Sequence, residues 1–399
     1  MSRHDFPPDE FAERRQRIWE RLREKNLDWF LIFHPASIHW LTGAEAKSYQ
    51  TFQCLIVDAR RERLTMFTRE AERNEFADDA IIDELRTWGT SSAPDPVEAF
   101  LPLVRQFGLH GSSKIGMEVP AYYLHALHYH RLAPLVSSAN AAKHDNLVHN
   151  LRLVKSPREI AYLREAARIA DMSLGAIAQS LAPGRSELEI AAELYHAILS
   201  SGGDVPAVPS NIVSGCRAGH SHGSPSARRL AAGDVGNVEY CVSYKRHAVS
   251  IGRQFCIGKP SVRVRKITAI VQHALEACLA EIAVGVSAAV PYWAAEKVLT
   301  DAGLARHRVH TMGYSLGSAF PPATGGPLQL APESRYMLQA GMVLSICPNV
   351  FIHEERLGVR IVDNVLITDT GAEVLSQFPR DLIIVDDRDL HSPPAGSSC

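Results

Sequence analysis

The chain has 399 residues, of which 46% are hydrophobic, and its 44 acidic and 42 basic side chains leave a formal net charge of -2 at pH 7. That length implies about two to three domains with ample material for large cores. The near-neutral balance provides no basic footprint for nucleic acid or anionic lipid, so a small, roughly neutral molecule is the expected partner.

The opening stretch "MSRHDFPPDEFAERRQRIWERL" places charges where a signal peptide needs an apolar core. No run reaches the ~18 uninterrupted apolar residues of a membrane helix, and a cytoplasmic location is expected. The seven cysteines, Cys54, Cys216, Cys241, Cys256, Cys278, Cys347 and Cys399, are scattered without a CxxC pair, which favours reduced thiols over a disulfide framework or a structural zinc site.

In chain order, an amphipathic helix is predicted over residues 10–25, where Phe11, Ile18 and Leu22 fall near one face. The β-rich runs "WFLIF", "QCLIV" and "RLTMF" follow among helical and loop segments, giving a small α/β domain over residues 1–150. At "LRLVKSPREIAYLREAARIADMSLGAIAQSL" the texture changes. Ser156 can cap a helix, Pro157 suits its first turn and Glu159 sits three residues after the cap, so a second domain is expected over residues 151–385. The tail at 386–399, ending "HSPPAGSSC", is expected to be disordered.

The second domain carries a weak internal repeat. "LAPGRSELEIAAELYHAILSSG" (181–202) aligns with "IAVGVSAAVPYWAAEKVLTDAG" (282–303), and "GDVGNVE" from Gly233 is in step with "GMVLSIC" from Gly341. Two similar halves imply a pseudo-symmetric α+β domain with a site between them. "NVEYCVSYKRHAVSIGRQF" (237–255) reads as strand, tight turn and strand, with Glu239 on the first strand and Ser250 on the second.

Several stretches together resemble the creatinase and prolidase superfamily of pita-bread proteins: "RLVKSPREIAYLREAARI", "SHGSPSARRLAAGD", "VEYCVSYKRHAVSIGRQF", "GYSLG", "AGMVLSICPNVF" and "GVRIVDNVLITDTGAEVLS". The resemblance implies an α+β pita-bread domain behind a smaller N-terminal α/β domain. Peptidases of that superfamily bind two divalent metals through two Asp, one His and two Glu, and the five positions fall here on Glu239, Ser250, Tyr314, Cys347 and Val362. Two hard cations close together need several anionic oxygens, which serine, tyrosine and valine do not supply, so no metal or other cofactor is expected. A single zinc held by Cys347, Glu239 and a histidine is the alternative, against Cys347 as a small buried hydrophobe.

The metal-free branch resembling ectoine hydrolase is echoed in "SIHWLTGAEAKSYQTFQCLIV" (37–57), "VEYCVSYKRH" and "GYSLGSAFPP" (313–322). This resemblance implies hydrolysis of a carbon-nitrogen bond in a small cyclic amidine, amide or guanidine-like metabolite. Glu239 would be the nucleophile and His222, in "HSHGSP", the general acid and base, with His220 as its rival. Tyr314 is a candidate for orienting substrate or water, or a core residue. Asp363 would orient His222 or bind a substrate amine, with a strand-end or surface pair as the bland reading, and Arg360 would clamp a substrate carboxylate or be a solvated strand residue. Trp40, Tyr49 and Phe52 would cover the pocket, where a partner subunit often reaches over the site, so a homodimer is implied. Two departures stand out. "ATGG" (323–326) replaces Asp-Trp-Gly-Glu, and "VRIVDN" puts Arg360 and Asp363 where two glutamates are expected. Two other readings remain: a catalytically silent member that binds a metabolite or partner, and a residual Xaa-Pro-type metallopeptidase.

Overall fold

The computed structural model describes residues 5–45, 47–89, 95–109, 113–120, 122–135 and 146–385, and the expectation for the tail at 386–399 lies outside them. The chain divides into two compact units, Met1–Arg152 and Leu153–Cys399. Among the described residues no helix is long and apolar enough to cross a membrane. Cys54, Cys241, Cys256, Cys278 and Cys347 are buried and none of these five is disulfide-bonded, in line with the expected reduced thiols.

The first unit is built on a five-stranded sheet. Its strands are β1 (Trp29–Ile32), β2 (Cys54–Asp58), β3 (Arg63–Arg69), β4 (Glu84–Trp88) and β5 (Ile115–Met117), in the order β4-β3-β2-β1-β5. The first helix, Pro8–Glu24, buries Phe11, Ile18 and Leu22 as their spacing predicts. Two of the proposed pocket aromatics are used up here. Trp40, 1% exposed, packs in the core of the unit under the guanidinium groups of Arg14 and Arg17. Phe52, 2% exposed, makes edge contacts with Phe33, Phe67, Phe100 and His128. Both side chains belong to the unit's own hydrophobic clusters, which corrects the expectation that they cover a ligand. Tyr49 is half-buried and meets the edge of Tyr123.

The second unit repeats one arrangement twice. Strands β6 (Asn211–Ser214), β7 (Val235–Tyr244), β8 (His247–Ile257) and β16 (Ile383–Val385) form a sheet in the order β16-β8-β7-β6. The helices Pro157–Ser180 and Glu187–Ser200 share a hydrophobic core with β7 and β8. The predicted cap is present: Ser156 and Glu159 form a reciprocal capping box on the first of these helices. The second sheet, in the order β10-β9-β11-β14-β15, contains β9 (Gly313–Ser315), β10 (Gln329–Leu330), β11 (Val343–Ile346), β14 (Asp363–Thr368) and β15 (Gly371–Val374). Its core is shared with the helices Val262–Ala280 and Ala289–Asp301. A separate ribbon pairs β12 (Val350–Ile352) with β13 (Leu357–Val359).

The repeat read from the sequence is visible in the backbone. Gly184 and Gly285 both take positive φ, at 84° and 80°, as do Gly233 and Gly341, each at 85° and each two residues before its strand. The hydrogen bonds correspond too: Gly184 donates to Leu230 O at 2.8 Å and Gly285 to Leu338 O at 2.9 Å. Only glycine enters this left-handed region without a steric penalty, so these glycines fix where each half turns.

Candidate active site

The β7–β8 hairpin turns at Lys245 and Arg246, with φ of 48° and 62°, a two-residue turn whose twist matches the paired strands. Its register sets Glu239 opposite Gly252 and Cys241 opposite Ser250, and β6 sets Asn211 against the other side of Glu239. Strand alternation then sorts the side chains. Val238, Tyr240 and Val242 face the helical core, while Asn237, Glu239, Cys241 and Ser243 share the opposite, inner face.

The second sheet contributes a cross-strand row of Tyr314, Ser345 and Asn364. The sheets are tied together at this place: Gly252 N–H donates to Val362 O at 3.2 Å, Val362 N–H returns to Gly252 O at 3.0 Å, and Ser250 N–H donates to Asn364 Oδ1 at 2.9 Å.

Glu239 has two neighbours on its carboxylate. Asn211 Nδ2 donates to Oε2 at 3.3 Å, and Arg360 Nη1 stands 3.1 Å from the same oxygen. Arg360 is fully buried, and its Nη2 donates to Ser221 O while Phe351 lies 5.1 Å below the guanidinium. The Nη1 contact meets the distance of an ion pair but not the angle of a hydrogen bond, so Nη1 and Nε both remain without a hydrogen-bond partner. Arg360 is thus the charge partner of Glu239, and the expectation of a solvated strand residue is corrected by its burial.

Two imidazoles stand together near this pair. The exposed His222 ring lies 4.6 Å from that of His310, which is half-buried and has an unpartnered Nε2. Burial, then His222 and Arg360, hold the pKa of His310 below the ordinary value, which keeps it neutral near pH 7. His310 was missed in the sequence, although it lies four residues before Tyr314. His220 is exposed.

The positions that would have to hold metals have a different chemistry. Burial, and next the negative charge of Glu239, raise the Tyr314 phenol well above its usual value. The Cys347 thiol is pushed up to about 12 by burial and then Glu239, so it is a thiol rather than a thiolate, its Sγ 3.6 Å from Thr311 O. Val362 is buried and carries no donor atom. Among the described residues no group of three or more His, Cys, Asp or Glu is arranged to hold a metal ion. One carboxylate beside an arginine, with a hydroxyl, a phenol and an isopropyl group at the other positions, does not fit a pair of hard cations.

Asp363 faces away from this group. It accepts from Arg253 Nη2 at 2.8 Å and Arg380 Nε at 2.6 Å and is 1% exposed. Both of its oxygens are engaged by guanidinium groups, which corrects its assignment to substrate or His222. Its neighbour Val362 points the other way, as alternation along a strand requires.

A second unit of two similar halves, preceded in the chain by a smaller α/β unit, is the architecture of the pita-bread hydrolases, which act on carbon-nitrogen bonds. Residues 161–369 match metallopeptidase family M24, and residues 14–154 match the creatinase/prolidase N-terminal domain. The chain belongs to family M24. It is 27% identical to the ectoine hydrolase of Halomonas elongata, covering 95% of this chain and 98% of that one, and 25% identical to a Xaa-Pro dipeptidase of Pyrococcus horikoshii, covering 94% and 100%. Among solved structures, the dipeptidase PepE of Mycobacterium ulcerans superposes with a TM-score of 0.80 at 25% identity, over 96% of this chain and 99% of that one.

Proposed function

We propose that the protein hydrolyses a carbon-nitrogen bond in a small cyclic amidine, amide or guanidine-like metabolite without a resident metal, with Glu239 as nucleophile and His222 as acid and base. One observation carries this reading: the five positions that bind metal in the family's peptidases here offer one carboxylate, a hydroxyl, a phenol, a thiol and an isopropyl group. Such a set cannot hold two divalent ions, but it retains a nucleophile with imidazoles nearby.

The chemistry follows from those groups. The Glu239 carboxylate forms a bond to the electrophilic carbon of a protonated amidine, and the C–N bond breaks as the departing nitrogen takes a proton from His222. His222 then removes a proton from water, which hydrolyses the acyl-enzyme and frees Glu239. Neutral His310 stands beside His222 to hold its ring, and the Tyr314 hydroxyl remains a donor because its proton is firmly bound. The ectoine hydrolase relative supports this substrate class. The same reading takes the working unit as a cytoplasmic homodimer, which light scattering on the purified protein tests.

A catalytically silent binding protein is the second reading, and the Arg360–Glu239 contact favours it, since a carboxylate held by a guanidinium is also what a structural ion pair provides. A residual Xaa-Pro metallopeptidase fits the donor set worst. The deciding experiment incubates the protein with ectoine, hydroxyectoine, creatine and Xaa-Pro dipeptides and follows products by mass spectrometry, with Glu239→Gln in parallel. Product from the native chain alone supports the nucleophile, an active Glu239→Gln protein rules out covalent catalysis, and binding without product supports the silent reading.

A further inference from the structure

A buried donor without an acceptor forfeits the hydrogen bond it made to water, so a cluster of such donors marks a place built for something that accepts. Arg360, fully buried, has no hydrogen-bond partner for Nε or Nη1, and Nη1 meets Glu239 only as an ion pair. Gln254, 1% exposed, accepts at Oε1 from the Arg360 backbone N–H at 3.2 Å, which orients the carboxamide and leaves Nε2 unpartnered. Against these three donors, the cross-strand neighbour of Gln254 offers one free acceptor, Asn237 Oδ1. The imbalance favours an acceptor-rich group with negative charge.

The stem of Arg360 explains how such a group would act. It crosses Gly252, where a Cβ would lie 3.0 Å from its Cγ and 3.2 Å from its Cδ, and so brings the guanidinium to Glu239 at an angle too poor for a hydrogen bond. A contact of that kind is held by charge more than by geometry, and a better-placed anion competes for it.

We propose that Arg360 and Gln254 form an oxyanion subsite beside Glu239, that it takes a carboxylate or similar planar oxyanion of the ligand, and that this anion draws the guanidinium off Glu239 and frees the carboxylate. The last step rests on Glu239 as the reacting group, whereas the subsite itself does not.

Nitrate, planar and inert to carbodiimides, is the probe. Glu239 is labelled with a water-soluble carbodiimide and glycinamide at pH 6 and its modification is followed by peptide mass spectrometry, with chloride at equal ionic strength as baseline. Nitrate is expected to speed labelling of Glu239 at least threefold in the native chain. In Arg360→Gln, labelling is expected to be fast from the start and indifferent to nitrate. Should that variant not fold, Gln254→Leu keeps the ion pair and is expected to blunt the nitrate response. No nitrate effect beyond chloride, slow labelling in a folded Arg360→Gln protein, or an undiminished response in Gln254→Leu overturns the proposal. A normal nitrate response together with an active Glu239→Gln enzyme would keep the subsite and remove the nucleophile.

Discussion

Arg360 reaches Glu239 across Gly252, placing Nη1 3.1 Å from Oε2 in a setting where the arginine is fully buried and the carboxylate partly so. Desolvation makes such a pair an uncertain source of stability, but removing one member strands the other. Arg360→Gln is expected to lower the unfolding free energy by about 3 kcal/mol in urea titrations. Adding Glu239→Gln should recover at least ~1 kcal/mol of that loss, since the coupled pair is then removed together. Purely additive effects would show that the two charges do not interact.

Gly252 is predicted to be intolerant of a side chain. A Cβ there would meet Val362 Cγ2 at 2.9 Å and Arg360 Cγ at 3.0 Å, and the short valine branch cannot move aside cheaply. Gly252→Ala should therefore cost about 1–3 kcal/mol, measured by thermal or urea denaturation. Because the displaced stem is that of Arg360, labelling of Glu239 by carbodiimide should rise as well. A fully stable Gly252→Ala protein would mean that the strands are less tightly joined than the reciprocal Gly252–Val362 hydrogen bonds imply.

Asp363 is predicted to matter for folding and not for turnover. Its partners Arg253 and Arg380 lie on the other face of the strands from Glu239, and Arg253 also donates to the carbonyls of Phe378 and Pro379. Asp363→Asn should lower stability by about 3 kcal/mol by uncovering buried positive charge. The rate per folded molecule should be unchanged, and a selective loss of kcat would restore Asp363 to the site.

These three residues also show how far the sequence reads. The hairpin, the capped helix at Ser156 and the glycine-marked halves are local patterns, set by alternation, capping and positive φ, and each was legible. The pairing of Arg360 with Glu239 and of Asp363 with Arg253 was not, because those partners lie more than a hundred residues away and depend on which face of a strand each residue takes. Trp40 and Phe52 were misassigned for a related reason: an aromatic ring carries no mark of whether it fills its own unit's core or covers a ligand. His310 was overlooked because its unpartnered nitrogen and its closeness to His222 exist only in the folded chain.

The first unit predicts a pH signature. Glu118, 1% exposed, accepts from Ser37 Oγ at 2.8 Å and His34 N–H at 3.1 Å, and burial raises its pKa from 4.5 to about 7. His149, 3.8 Å away, is lowered to about 3 by burial and then Arg152, so at pH 6 this contact joins neutral groups rather than an ion pair. The folded state holds the Glu118 proton more tightly than the unfolded state. Stability from this residue is therefore complete below the unfolded carboxyl value and is lost as pH rises towards about 7. Glu118→Gln removes that loss, so the variant should gain on the native chain by about 3 kcal/mol between pH 4.5 and pH 7 in denaturation curves. A constant difference across that window would show that Glu118 titrates normally.

The metal content of the purified protein tests the central claim most directly. After incubation with zinc, manganese and cobalt and removal of free ions, elemental analysis should find less than about 0.1 equivalent of any of them per chain, because Ser250, Tyr314, Cys347 and Val362 leave Glu239 without fellow ligands. One or two equivalents retained, and lost in Glu239→Gln, would contradict a metal-free site.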